Sequence, residues 1–258
     1  MSDILLHIDN QIATITMNRP DRYNAFIRNK ALAMQEALDQ CADNDDVRCI
    51  IITGAGKAFC SGQDLNEVVD PNGPELQKIV AQHFNPIIER IRTMEKPIIA
   101  AVNGVAAGAG ANIALACDFV IAKESSSFIQ AFSKIGLIPD SSGTFFLPRI
   151  VGMQKATQLM MLGEKVSAKE AEELHMIYKA TEDDKFDEEL QKLAVKISKL
   201  PTRALGLIKR ALNSSWENDL TKQLAIEEQL QFAASQTSDY QEGVAAFLEK
   251  RKAEFTGR

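Results

Sequence analysis

Basic charge is in short supply in this chain. Its 29 Lys and Arg stand against 35 Asp and Glu, a net charge of −6. With a pI near 5.3, neither nucleic acid nor an anionic membrane surface is expected as a partner, although the balance still allows a local basic pocket. Histidine is scarcer still. His7, His83 and His175 are far apart, and Cys41, Cys49, Cys60 and Cys117 form no C-x-x-C pair. Neither a metal site nor a disulfide framework is therefore expected. The four cysteines read as buried free thiols, only Cys60 lying beside a candidate functional loop. Long hydrophobic runs are missing too: none approaches the ~18 residues that span a bilayer. The opening MSDILLHIDNQ has no basic n-region, and Thr256-Gly257-Arg258 is not a peroxisomal tripeptide. A cytoplasmic protein is expected.

What is present is a 45 % apolar composition, enough for a large core, arranged in an alternating rhythm. Strand-like runs occupy Leu5–Asp9, Ile12–Met17, Val47–Thr53, Pro97–Val102, Phe119–Ala122 and Ser127–Gln130. Helix-like runs lie between them at Ile27–Ala42, Leu76–Met94 and Ala109–Cys117. This βαβ order predicts an α/β fold with right-handed parallel crossovers. From Val151 onward the pattern is almost wholly helical, with candidates at 166–173, 186–200, 202–214, 218–235 and 239–255. Leu224, Ile226, Leu230, Phe232, Val244, Phe247 and Leu248 either pack on the core or cover a second subunit.

Three loops carry the chemistry. Residues 104–112 (GVAAGAGAN) follow a strand and shrink to glycine and alanine, which leaves backbone N–H groups bare at a helix start, where an oxyanion can be held. Residues 54–65 (GAGKAFCSGQDL) form a second strand-to-loop turn. Neither is a P-loop or a dinucleotide fingerprint: the lone Lys57 and the missing acidic strand end rule against both. The third, Gly136-Leu137-Ile138-Pro139-Asp140-Ser141-Ser142-Gly143-Thr144, offers one carboxylate. An oxyanion site with one acid/base can move a proton next to a carbonyl.

Asn18-Arg19-Pro20, Asn24-Ala25, Ala58–Leu65, Lys96-Pro97, Asn103–Gly108, Ala116-Cys117-Asp118, Gly136–Asp140 and Leu147-Pro148-Arg149 together resemble the crotonase superfamily, the enoyl-CoA hydratase/isomerase family, over essentially the whole chain. The resemblance implies a spiral of ββα units with a helical C-terminal region. It divides the chain into a core of residues 1–200 and a segment, 201–258, that serves trimerisation and completes the CoA site. It implies a homotrimer or a dimer of trimers, an acyl-CoA substrate and no metal or redox cofactor. Mapped by motif, the oxyanion N–H groups are those of Gln63 and Ala109. Arg22, Ala25, Asp64 and Leu65 are implied along the CoA, and Phe247 and Lys250 are implied to reach a neighbouring subunit's CoA.

The departures matter as much. The two glutamates that handle water in the family's hydratases fall here on Asn112 and Phe132, and neither residue can act as a carboxylate base. Asp140 remains, as in the family's isomerases. The Asp140 motif most resembles the branch that rearranges a ring-1,2-epoxide of phenylacetyl-CoA, and a Δ3,Δ2-enoyl-CoA isomerase or hydratase-like enzyme is the alternative. Dehalogenation through a nucleophilic Asp140 lacks the pocket Trp and His that reaction uses; Phe132 and Asn85 stand there. A catalytically silent acyl-CoA-binding scaffold is the rival outside enzymology. Asn112 either donates to substrate or to Asp140, or is a satisfied helix residue. Ser141 and Ser142 add hydroxyl contacts or shape the turn, and Phe132, Phe145 and Phe146 line an acyl pocket or pack the core.

Overall fold

The computed structural model describes residues 2–258. Ten strands form two sheets. They are β1 (Ile4–Asp9), β2 (Ile12–Met17), β3 (Cys49–Gly54), β4 (Ala58–Cys60), β5 (Ile98–Val102), β6 (Val105–Ala107), β7 (Phe119–Lys123), β8 (Ser127–Ile129), β9 (Lys165–Ser167) and β10 (Lys179–Thr181). The larger sheet runs β1-β2-β3-β5-β7-β10 and the smaller β4-β6-β8-β9. From β3 to β8, consecutive strands enter the two sheets alternately. Each ββα unit therefore adds one strand to each sheet before its helix crosses over. All pairings between β2 and β10 in the larger sheet are parallel, as the crossover rhythm predicts.

Alternation along the strands makes two cores. Ile50 and Ile52 of β3, with Ile98, Ala100 and Val102 of β5, join the main core under Met34 and Leu38 of the helix Arg28–Asp43. Cys49, Ile51, Ile99 and Ala101 point the other way, onto Phe186, Leu190, Ala194 and Ile197 of the helix Phe186–Ser198. Burying each isoleucine is worth roughly 2 kcal/mol. All four cysteines are buried and free.

Several sequence expectations shift. The three-residue strands β4, β6, β9 and β10 are too short to show a period, and the helices Gly143–Val151 and Met153–Leu162 lie outside the helical candidates of the sequence. The run 76–94 is interrupted by a π-helical stretch, Ile79–Phe84. The last helix ends at Glu249, not 255, because Lys250 turns left-handed (φ 56°). The tail then folds back: Asp239 accepts N–H bonds from Thr256 (2.6 Å) and Gly257 (2.8 Å), and Arg48 donates to the Phe255 carbonyl (2.8 Å). Of the apolar residues on the late helices, Leu230 is buried, whereas Leu224, Phe232, Val244, Phe247 and Leu248 are exposed. No helix is long and apolar enough to cross a membrane among the described residues.

Candidate active site

The loop after β4 is zipped to the segment that carries Asn24-Ala25. Phe26 N donates to the Gly62 carbonyl (2.7 Å), Asp64 N to the Phe26 carbonyl (2.8 Å) and Ser61 N to the Tyr23 carbonyl (3.0 Å). Residue 63 lies between the first two bonds of this parallel bridge, so its own N–H points to the opposite side, away from Phe26. Gly62 (φ +91°) needs to be glycine twice over. A Cβ there would stand 3.1 Å from the Ala107 carbonyl and 3.4 Å from the Ala109 nitrogen, covering the second loop's amide.

That second loop turns at Gly108 (φ 54°, ψ −129°) into the buried helix Ala109–Ala116. Gly108 offers no capping side chain, so the first amides of the helix point out without an intrahelical partner, at the positive end of its dipole. A Cβ on Gly110 would overlap the Cys60 carbonyl; the two loops are thus locked back to back. The ring of Phe132 lies over Gly108, 3.8 Å from where a Cβ would stand. An apolar ring thereby lies beside this loop at the position where the resemblance expects a hydratase's glutamate.

The motif residues brace these loops. Buried Asn24 donates from Nδ2 to the Ala55 and Ala58 carbonyls (2.8 Å each) and accepts from Arg19 N (2.9 Å). Arg19 donates to the Ala25 carbonyl (2.7 Å) and pairs with Asp64 (3.1 Å). The Asp64 carboxylate also caps the helix Leu65–Val69 through Asn66 N. Burial pushes the Asp64 pKa up, but Arg19 and the Asn66 N–H groups outweigh it and hold the carboxyl below its usual range.

Asn112 resolves its own orientation. Its Nδ2 donates to the Asp140 backbone carbonyl (2.8 Å), which also accepts from Gly143 N (2.9 Å). A carbonyl can only accept, so Oδ1 faces away, and there it accepts from Gln130 Nε2 (2.7 Å). Asn112 thus contacts the main chain of Asp140, not its carboxylate. The Asp140 carboxylate accepts from Ser141 Oγ (2.8 Å). Burial pushes its pKa up, opposed by the Ser141 hydroxyl and by the Asp140 N–H. Ser141 and Ser142 both adopt left-handed φ (49° and 64°) and shape the turn into the helix Gly143–Val151.

The fold therefore brings Gln63, Ala109, Asn112 and Asp140 to one region, with Phe132 beside them. Phe145 and Phe146 lie elsewhere, clustered with Trp216 at ring separations of 5.2 and 5.4 Å. Arg22 is exposed and lines an open cleft of about 520 Å³ with Asp3, Asn18, Arg19, Pro20 and Asp21. Ala25 is buried and Leu65 exposed. Phe247 and Lys250 stand at the end of the last helix, which packs on the preceding one. No cluster of three His, Cys, Asp or Glu suited to a metal exists among the described residues. Gln130 escaped the sequence reading: a single polar residue after a strand carries no signal.

Residues 7–258 match the Enoyl-CoA hydratase/isomerase family. The chain belongs to that family. It is 46 % identical, over the full length of both chains, to the 1,2-epoxyphenylacetyl-CoA isomerase of Escherichia coli K12. It is 35 % identical to the trans-2-decenoyl-[acyl-carrier-protein] isomerase of Streptococcus mutans, over 99 % of this chain and 98 % of that one. The enoyl-CoA hydratase of Bacillus anthracis superposes with a TM-score of 0.92 at 32 % identity, over 99 % of this chain and all of the other. The crotonase-like α/β fold inferred from the sequence is the fold of this enoyl-CoA hydratase/isomerase family member.

Proposed function

We propose that this protein is a CoA-thioester isomerase that moves a proton next to the thioester through an enolate, with 2-(1,2-epoxy-1,2-dihydrophenyl)acetyl-CoA as its substrate. The observation that supports the reading is the turn of Asp140, the one carboxylate there, bonded through its carbonyl to Asn112 of the helix that opens at Gly108, with Asn112 and Phe132 where the resemblance expects a hydratase's glutamates. The Asp140 carboxylate takes a proton from the carbon beside the thioester. The C–H electron pair moves onto the carbonyl oxygen, and the N–H groups of Gln63 and Ala109 hold the resulting enolate. One such donor is worth ~3 kcal/mol in the transition state. The C–C bond shared by the epoxide and the six-membered ring then breaks, its electron pair joining the ring's double bonds to give the seven-membered oxepin, and Asp140 returns the proton to carbon, so that product and substrate are isomers. The thioester is the electron sink, so this route asks for no metal or redox cofactor.

A Δ3,Δ2-enoyl-CoA isomerase would use the same residues in the same roles. The S. mutans relative, named a trans-2-decenoyl-[acyl-carrier-protein] isomerase, favours keeping it as the second reading.

The remaining assignments follow from the same reading. Arg22, Ala25, Asp64 and Leu65 border the CoA, Asp64 through its backbone, since Arg19 and Asn66 occupy its carboxylate. The exposed Leu224, Phe232, Phe247 and Leu248 fit a homotrimer or a dimer of trimers. In it the segment 201–258 serves trimerisation and completes the CoA site of the 1–200 core, and Phe247 and Lys250 meet a neighbour's CoA. The cytoplasm is the proposed compartment.

The test is product analysis by mass spectrometry and UV absorbance with 3-enoyl-CoA, 2-enoyl-CoA and enzymatically generated epoxyphenylacetyl-CoA. Double-bond migration or oxepin formation that disappears in Asp140→Asn is the expected result, and which substrate turns over separates the two readings. Rapid hydration of 2-enoyl-CoA that survives Asp140→Asn would overturn both. A silent scaffold would bind CoA and turn over nothing.

A further inference from the structure

Four charged side chains are buried among the described residues, and three of them are held by a carboxylate or by several polar groups. Arg48 donates to the Thr202 hydroxyl and to the Leu200 and Phe255 carbonyls. Lys209 pairs with Asp118 (2.8 Å), and Asp239 accepts amides from the tail. Lys30, on the first long helix, is the exception. It is wholly buried, its Nζ donates to the Asn24 carbonyl, and it stands 4.1 Å from the centre of the Phe26 ring. The charged and titratable groups acting on it are the Cys60 thiol, the Arg19 guanidinium and, weakest, Asp3. No ion pair to a carboxylate offsets its burial among the described residues.

Lys30 lies at the start of a short chain of polar contacts. The Asn24 carbonyl that accepts from Nζ also accepts from Cys60 Sγ (3.2 Å), and Cys60 Sγ in turn accepts from Gly62 N (3.4 Å). Gly62 immediately precedes Gln63, and Cys60 is the residue against which Gly110 of the second loop is packed. The ammonium therefore sits behind both amide-bearing loops. A buried cation without an anionic partner costs stability. The same charge lowers the energy of any negative charge that forms nearby in a poorly screened interior.

We propose that Lys30 is a fixed internal cation behind the two amide-bearing loops that favours the enolate over the neutral thioester through its field. Lys30 touches no reacting atom; it is a positioning residue, and this role rests on the enolate reading above. Burial lowers its pKa from 10.5 to about 8, so the charge is present at neutral pH and is lost on the alkaline side.

The test compares melting temperature and kcat for 3-enoyl-CoA isomerisation in wild type, Lys30→Met, Lys30→Arg and Asp140→Asn. In Lys30→Met the expected result is an equal or higher Tm with kcat reduced at least ten-fold and KM little changed. Lys30→Arg recovers most of the rate. An unchanged kcat in Lys30→Met overturns the proposal, and so does a parallel loss of Tm and kcat that arginine does not relieve. Should Lys30→Met fail to fold, the wild-type profile decides: kcat falling above about pH 8 supports the internal cation, and kcat flat to pH 10 overturns it. Turnover that needs Asp140 but ignores Lys30→Met defeats only this inference. Turnover that falls in Lys30→Met but ignores Asp140→Asn keeps the cation and defeats the role given to Asp140.

Discussion

The two walls of the candidate site are built in opposite ways. One wall, residues 61–64 and 108–110, is backbone: its side chains are small or turned away, and Asn24, Arg19 and Asp64 spend their polar groups holding it in place. The other wall, residues 132–143, presents side chains. It carries one carboxylate on a turn with two consecutive left-handed serines, next to exposed Ile135, Leu137 and Ile138. The contrast teaches where generality and specificity reside. Under the proposed mechanism, backbone amides stabilise an enolate whatever the acyl group is, whereas a single side chain decides what happens to the proton. Asn112, bonded to the Asp140 carbonyl, and Phe132 accordingly belong to the second wall.

The sharpest way to break that contrast is to remove the one group on the side-chain wall. Asp140→Asn should lower isomerase turnover by about 10³-fold, within the usual span for a general acid/base, while CoA affinity persists. It should also raise Tm. The folded-state pKa of Asp140 lies above its unfolded value, so its ionised form opposes folding at pH values above both and ceases to do so once pH drops below both. For the same reason the acid limb of the rate profile should lie above the ordinary carboxylate range. Ser141→Ala removes a bond to the ionised form, so the limb should move further up in pH; a downward move would contradict the assignment. The matching change on the backbone wall is Gly62→Ala. The added methyl strains a φ of +91° and crowds Ala109 N; a loss of roughly 10²-fold in kcat is expected, the scale of one oxyanion donor. An alanine variant with wild-type kcat would show that these amides do not hold the enolate.

How far the sequence reveals this arrangement follows the same division. The backbone wall was legible because bare amides demand small residues, and small residues leave a pattern such as Gly104–Gly110. Ile50–Ile52 and Ile98–Val102 were legible because a strand buried on both faces reads as a continuous apolar run. Three-residue strands such as β6 and β9 carry no period at all. The late helices deceived differently: Phe232 and Phe247 are apolar without facing the core, and composition does not say which surface an apolar residue covers. Lys30 looked like any helix lysine, since nothing local announces that its position is buried. Gln130 was invisible because its role depends on Asn112, 18 residues away in sequence, and on the carbonyl that orients it.

The smallest expected effect lies at that last residue and sharpens the comparison from within the side-chain wall. Because the Asp140 carbonyl fixes Asn112, and Asn112 Oδ1 in turn requires a donor, Gln130 can present only Nε2; its Oε1 is left buried without a partner. Gln130→Met keeps the volume but frees the Asn112 amide to rotate, and a loss of about ten-fold in kcat with KM nearly unchanged is expected, on the scale of one buried hydrogen bond. Gln130→Glu discriminates orientation from packing. A protonated glutamic acid donates to Asn112 Oδ1 as Gln130 does, whereas the ionised form can only accept. Its kcat should therefore decline as pH rises through a range in which the wild type is level. A Gln130→Glu profile parallel to wild type would mean that the amide chain merely fills space and that Asp140 is positioned by its turn alone.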